Sequence, residues 1–271
     1  MSGRNGTNSG GRINCAHLRK EFVDSRTGAS TVALGDFDVD IHPGEFVTIV
    51  GPSGCGKTTF LNIVAGFESE TAGEILVDER PITGPGPDRG VVFQEYALFP
   101  WMRVTHNVAY GLVERGLSRR EAHSQAEHWL ARVGLQEFGD KFPHELSGGM
   151  RQRVALIRVL ANDPSILLMD EPFAALDALT RSILQKELEA LWQQAHKTVV
   201  FVTHNVEEAI YLGDRMVIMS GRPSSIKSIV NIDLPRPRDV TAEAFNEYRR
   251  FATKQLEEEQ SAFMKLGGMT A

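Results

Sequence analysis

Gly51-Pro52-Ser53-Gly54-Cys55-Gly56-Lys57-Thr58 constrains this chain more than any other stretch, because three glycines within six positions, closed by Lys-Thr, leave few local structures open. The preceding run Glu45-Phe46-Val47-Thr48-Ile49-Val50 is apolar and β-branched and reads as a buried strand, while Thr59-Phe60-Leu61-Asn62-Ile63-Val64-Ala65 reads as a helix. A strand that turns through glycines into a helix presents successive backbone N–H groups at the helix N-terminus, where the macrodipole also favours negative charge. Phosphate is the ligand such a turn holds. On this reading Lys57 reaches the β- and γ-phosphates of a nucleoside triphosphate and Thr58 ligates Mg²⁺, with Gly51 to Gly56 and Thr59 completing the cradle. Cys55, beside Lys57 and a helix N-terminus, is expected to carry a favoured, reactive thiolate.

A second motif lies about a hundred residues on. Ile166-Leu167-Leu168-Met169-Asp170-Glu171 is an apolar strand delivering two carboxylates at its C-terminal end, where open parallel sheets bind ligands. Asp170 is placed to hold Mg²⁺ and Glu171 to polarise an attacking water. Thr198-Val199-Val200-Phe201-Val202 and Met216-Val217-Ile218-Met219 are further continuous apolar runs, as expected of a parallel sheet covered on both faces. Leu34 to Ile41 instead alternates apolar and polar residues, the pattern of a half-exposed antiparallel strand, and Glu74 to Asp78 is expected in the same small sheet. Leu179 to His196 and Ser118 to Val133 read as helices, and residues from about 95 to 165 as a helical lobe inserted into the core. The fold class is therefore α/β: a parallel-sheet nucleotide-binding core, a small antiparallel β-subdomain and an inserted α-helical subdomain.

With 271 residues, 42% hydrophobic and 24% charged, the chain has enough apolar material for a large core. A net charge of −6 supplies no basic stripe for a nucleic-acid backbone, so nucleic acid is not expected as a partner. Cys15 and Cys55 are its only cysteines, which fits a reducing cytosol. No apolar run reaches the roughly 18 to 20 residues that span a bilayer, and no signal peptide is expected. Residues 1–11, rich in Gly, Ser and Asn, read as a disordered leader, residues 12–235 as the nucleotide-binding domain and 236–271 as a helical tail. In the tail Phe245, Tyr248, Phe251 and Ala252 form one packing stripe.

Leu146-Ser147-Gly148-Gly149-Met150-Arg151-Gln152-Arg153 places a hydroxyl and two glycines at another helix N-terminus, a second phosphate-binding surface. At this point the chain resembles the ATP-binding cassette family, whose signature is Leu-Ser-Gly-Gly-Gln. The resemblance extends over about residues 13 to 235. Gln94 in Val91-Val92-Phe93-Gln94 matches the Q-loop glutamine, Ala175-Leu176-Asp177 the D-loop, His204 the switch histidine and Phe22 the aromatic that stacks on adenine. Met150 departs from the signature glutamine, while the Ser-Gly-Gly that meets phosphate is intact. The stretches Gly84 to Gly90 and Phe99-Pro100-Trp101 further resemble the bacterial import ATPases for nitrate, taurine and aliphatic sulfonates.

The resemblance implies ATP and Mg²⁺ as ligands, with Thr58, Gln94 and Asp170 about the metal, Glu171 as general base, and His204 and Gln94 as its helpers. It implies a head-to-tail homodimer in which Ser147, Gly148, Gly149 and Asp177 meet ATP held by the other subunit. The aromatic segment with Tyr96, Phe99 and Trp101 is expected to contact transmembrane permease subunits, which work with a solute-binding protein outside the membrane. The chain would be peripheral at the cytoplasmic face of the bacterial inner membrane. Ending soon after its last helix, it is expected to lack the regulatory β-domain of longer import ATPases. The rival readings are an exporter ATPase, a non-transport member of the same superfamily acting in repair or translation, and a GTP switch; the last is disfavoured because no Asn-Lys-x-Asp motif occurs.

Overall fold

The structure, a computed structural model, describes residues 10–267. Residues 1–9 of the expected leader lie outside the described residues. Gly10 and Gly11 do not belong to such a leader, since the Gly10 N–H donates to the His196 carbonyl at 3.1 Å and the Gly11 carbonyl accepts from Thr198 Oγ1 at 2.6 Å. Two compact units make up the chain, one built from Pro87–Ala195 and the other from the described residues on either side of it.

The flanking unit begins with β1 (Ile13–Val23), β2 (Ser30–Ile41), β3 (Phe46–Val50), α1 (Lys57–Ala65), β4 (Ala72–Val77) and β5 (Arg80–Pro81). The two strands expected in the small antiparallel sheet, β2 and β4, both pair antiparallel with β1, which lies between them in a sheet of order β2-β1-β4-β5. Phe37, Val39 and Ile41 of β2 point inward, and the Phe37 ring lies 4.8 Å from that of Phe60 on α1. The small sheet thus packs on the helix that follows the glycine turn. The connection between β1 and β2 spans residues 24–29. The Asp24 carboxylate accepts the N–H groups of Arg26 and Thr27, Gly28 N–H closes on the Asp24 carbonyl, and Ser30 already pairs with Val23.

The inner unit holds β6 (Arg89–Val92), α2 (Val104–Glu114), α3 (Arg119–Arg132), α4 (Gly148–Leu160), β7 (Ile166–Asp170) and α5 (Ala178–Ala195). β6 and β7 pair in parallel with Val92 opposite Met169. Helices α2, α3 and α4 share one core through Val108, Leu112, Ala126, Leu130, Val154 and Ile157, which accounts for the helical lobe read between about 95 and 165. α3 starts at a capping box: Ser118 Oγ accepts from Glu121 N–H, and the Glu121 carboxylate accepts from Ser118 N–H at 3.0 Å.

The chain then returns to the flanking unit as β8 (Thr198–Val202), α6 (Val206–Leu212), β9 (Arg215–Met219), β10 (Ile226–Asn231) and α7 (Glu243–Gly267). β3 lies between β8 and β9, parallel to both, with β10 antiparallel beside β9. Every residue of β3 and β8 is buried, the expected fate of apolar runs without alternation. The Pro-Arg-Pro-Arg segment before α7 anchors the tail. Buried Arg238 donates to the carbonyls of Ile210, Tyr211 and Gly213, acceptors at the end of α6 that no helical N–H can reach, and to that of Ile232. On α7, Phe245 and Ala252 are buried and the Tyr248 hydroxyl accepts from Asp233 N–H, but Phe251 is exposed. The packing stripe is narrower than its spacing suggests.

Because Phe60 is fully buried against Phe37, Phe60→Ala should lower stability by about 3–5 kcal/mol. A urea midpoint indistinguishable from that of the unsubstituted chain would show that α1 does not depend on this contact.

Candidate functional site

The glycine turn leaves β3 at Val50. Cys55 N–H donates to the Pro52 carbonyl at 3.2 Å, and Gly54 and Gly56 have φ of 74° and 100°, values that side chains resist. Gly56 is the N-cap of α1 and supplies no side-chain acceptor, so no N-cap side chain takes up the first N–H groups of the helix. Such a row of donors fits phosphate oxygens. Lys57 is buried, and its ammonium donates to the carbonyls of Gly51 and Pro52 at 2.9 and 3.0 Å, folded over the turn it follows. Ser53 and Thr58 are exposed and Thr59 is half-buried.

Cys55 corrects the expectation drawn from its neighbours. It is only 1% exposed, and burial pushes its thiol above the ordinary value, although Lys57 Nζ, 3.8 Å from Sγ, works in the other direction. Desolvation outweighs the cation here. The residue packs as a small apolar group rather than standing ready as a thiolate.

β8 runs beside β3 with Val202 opposite Ile49, so His204 leaves the same edge of the sheet as the glycine turn. Its backbone is fixed on both sides. Thr203 Oγ1 donates to the Glu208 carboxylate at 2.6 Å, and Asn205 Oδ1 caps α6 by accepting from the N–H groups of Glu207 and Glu208. Phe22, on β1, is 41% exposed with Lys20 Nζ 4.8 Å from its ring centroid.

In the inner unit Gln94 follows β6 and Asp170 ends β7, so the parallel pairing brings both to neighbouring C-terminal strand ends. Glu171 has φ of 44°, left-handed backbone that a glutamate adopts at a cost of about 1–3 kcal/mol and that concentrates at functional sites. Ser147 is the N-cap of α4, its hydroxyl oxygen accepting from Met150 N–H at 3.3 Å, which leaves the hydroxyl proton to donate elsewhere. A Cβ on Gly149 would lie 2.6 Å from Thr180 Cγ2, so this position lets α5 approach α4. Asp177 begins α5 by accepting the N–H groups of Thr180 and Leu179. The Thr180 N–H, with its hydroxyl and the Leu179 N–H, holds this carboxyl below the usual range. The Ser-Gly-Gly turn and the Asp177 turn therefore meet through Gly149 and Thr180.

Sequence reading missed two residues that shape this unit. Arg158, on α4, donates to the carbonyls of Ala97 and Tyr96, residues of the segment after Gln94 whose φ values are 46° and 61°. Burial pulls its guanidinium below the ordinary arginine value. Fully buried Asn107 accepts from Phe99 N–H at 2.8 Å and donates to the carbonyls of Phe99 and Met102. Neither contact leaves a signal in the local sequence. Between them they hold a loop whose Trp101 is 70% exposed and lies tilted against Phe99 at 5.7 Å, which in turn meets Tyr110 at 4.9 Å. Beside Phe99 opens a groove of about 540 Å³, lined by Val91, Phe93, Ala97, Tyr110 and Val159 among others. Tyr96 faces a separate hollow with Gln94 and Glu95.

Residues 34–174 match the ABC transporter family. An ABC transporter ATP-binding protein of Methanocaldococcus jannaschii is 53% identical over 232 residues, covering 86% of this chain and 87% of that protein. The chain belongs to the ABC transporter family. Among other relatives of this cassette, the aliphatic sulfonates import ATP-binding protein of Bacillus cereus is 44% identical over 233 residues, 86% of this chain and 92% of that one. The taurine import ATP-binding protein of Roseobacter denitrificans is 49% identical over 214 residues, 79% of each. The cassette also superposes on the dimeric structure of a post-hydrolysis state of an ATP-binding cassette bound to ADP and Pi. That match has a TM-score of 0.72 and 31% identity, and it covers 81% of this chain and 98% of that one. Among the described residues of the cassette, no helix is long and apolar enough to cross a membrane.

Burial of Cys55, and of Cys15, whose thiol desolvation also pushes up, predicts slow maleimide labelling of the folded cassette at pH 7. Rates should be at least about tenfold below that of a free thiol and should climb only at alkaline pH or on unfolding. Rapid modification of Cys55 in the folded chain would reverse this assignment.

Proposed function

We propose that this cassette is the ATP-hydrolysing subunit of an importer for a small anion of the taurine, nitrate or aliphatic sulfonate type. The observation that carries the reading is the kinship with import ATP-binding proteins for sulfonates and taurine over most of both chains, joined to a complete set of cassette motifs.

Gly51 to Thr59 hold the phosphates of ATP, Lys57 neutralising the β- and γ-phosphates, while Phe22 offers an exposed ring face to adenine. The exposed Thr58 hydroxyl, the Asp170 carboxylate and the Gln94 amide oxygen are hard oxygen donors of the kind Mg²⁺ takes. Mg²⁺ bound there supplies charge neutralisation for the transferred phosphoryl group. Glu171 accepts the proton of the attacking water, and His204 and Gln94 orient that water and the γ-phosphate. Because phosphoryl transfer depends on positioning and charge, small displacements of these groups switch turnover on or off.

Two cassettes associate head to tail, so that Ser147, Gly148, Gly149 and Asp177 of each complete the ATP site of the other. ATP acts as interface glue that hydrolysis removes. The groove beside Phe99 and the exposed Trp101 support docking of a permease helix there, with Tyr96 at its margin. The complex would sit at the cytoplasmic face of the bacterial inner membrane and receive its solute from a binding protein on the other side.

Glu171→Gln preserves side-chain shape without a basic oxygen. It should hold ATP within a few-fold of the unsubstituted affinity while kcat falls by at least about 10²-fold. The cassette reconstituted with its permease and binding protein in proteoliposomes should show hydrolysis stimulated by taurine, a sulfonate or nitrate. A Glu171→Gln complex that transports at the unsubstituted rate would remove Glu171 from the chemistry, and a complex stimulated by none of these anions would remove the substrate class.

A further inference from the structure

The turn between β9 and β10 lies against the glycine turn. Arg222, on that turn, donates through Nε to the Gly54 carbonyl, and its Nη2 lies 3.9 Å from where a Cβ on Gly54 would be, so the guanidinium runs along the residue. The platform that carries Arg222 is held from three directions. Ser220 and Ser225 close the turn through a backbone hydrogen bond of 3.0 Å and a side-chain one of 2.9 Å. Gly35 N–H, from β2, donates to the Ser224 carbonyl at 2.8 Å. From α7, the Glu259 carboxylate accepts the Gly221 N–H at 3.0 Å while pairing with Lys227 Nζ on β10 at 3.0 Å. Lys227 also donates to the Gln255 carbonyl and pairs with Glu258, so this stretch of α7 is fastened to the hairpin at several points.

We infer that Arg222 is a positioning residue for the phosphate loop, and that Glu259 of the C-terminal helix holds the turn that presents it. A trans peptide points its C=O and N–H in opposite directions. Fixing the Gly54 carbonyl toward Arg222 therefore fixes the plane whose N–H, that of Cys55, closes the turn on the Pro52 carbonyl. A turn rich in glycine has many other conformations open to it. Without the anchor, ATP must order the loop as it binds, and the cost falls on affinity. The chemical step is untouched, because Arg222 acts through the Gly54 carbonyl and not on the water or its base. The tail helix thereby gains a role beyond packing, as the outer support of the phosphate loop.

The inference rests on Gly51 to Thr58 being the loop that holds ATP, and the test separates the two. MgATP is titrated into the full chain and its steady-state hydrolysis measured for Arg222→Ala, Arg222→Lys, Glu259→Ala and Lys57→Ala. Arg222→Ala should raise Kd and KM for ATP by about fivefold, the effect of one lost hydrogen bond, with kcat within about twofold. Arg222→Lys, which keeps a donor, should recover most of that affinity, and Glu259→Ala should shift KM in the same direction by a smaller factor. Lys57→Ala should lose ATP binding. If Lys57→Ala binds ATP normally, the phosphate-loop reading fails and this inference with it. If Lys57→Ala loses ATP while Arg222→Ala keeps the unsubstituted KM, or lowers kcat at unchanged KM, the role of Arg222 alone is overturned.

Discussion

A row of backbone N–H groups left uncapped at the start of α1 is the feature on which the rest of the flanking unit depends. A helix that begins on glycine without a side-chain acceptor forgoes roughly a few tenths of a kcal/mol relative to a capped one. Burial of Phe60, Leu61, Ile63 and Val64 on α1 offsets this, at about 1.5–3 kcal/mol for each large apolar side chain removed from water. The wholly buried β3, held between β8 and β9, fixes where the turn begins. The helix can therefore present these donors to an anion without a side-chain cap of its own.

α4 solves the same problem differently. Ser147 caps its own helix through the hydroxyl oxygen yet keeps a proton to donate, and the small Gly149 admits Thr180 of the neighbouring helix. Asp177 then serves α5 as Ser147 serves α4. Two helix N-termini of the inner unit are thus coupled by one steric contact, and in the proposed mechanism both face the nucleotide of the partner subunit. Arg158 extends α4's reach to the carbonyls that follow Gln94, so the helix that begins at the Ser-Gly-Gly turn also holds the segment next to the proposed permease groove.

The parallel strands were legible because burial on both faces leaves continuous apolar runs, and α3 because Ser118 and Glu121 spell its cap. β1 was not legible. Its pairing with β2 shifts register between Cys15 and Leu18, and His17 sits at φ of 49°, so the period of two that marks a strand is broken in its middle. Phe251 shows the converse: it keeps helical spacing with buried neighbours yet is exposed. The motif residues could be placed because their identity and order carry the chemistry, while the residues that hold them could not. Arg158, Arg222 and Arg238 act by donating to main-chain carbonyls distant in sequence, and a carbonyl has no residue type to recognise. Cys55 was misjudged for a related reason, since its adjacent cation is visible in the sequence and its burial is a product of the fold.

In the proposed mechanism ATP is held between the glycine turn of one subunit and the Ser-Gly-Gly turn of the other. Mixing Lys57→Ala chains with Ser147→Arg chains tests it most directly, because a head-to-tail pair then contains one site with both lesions and one with neither. Mixed dimers should crosslink a photoreactive ATP analogue at a single site, through the Ser147→Arg chain's intact glycine turn and the partner's intact Ser147. Mixed dimers that capture no more nucleotide than either parent would contradict it.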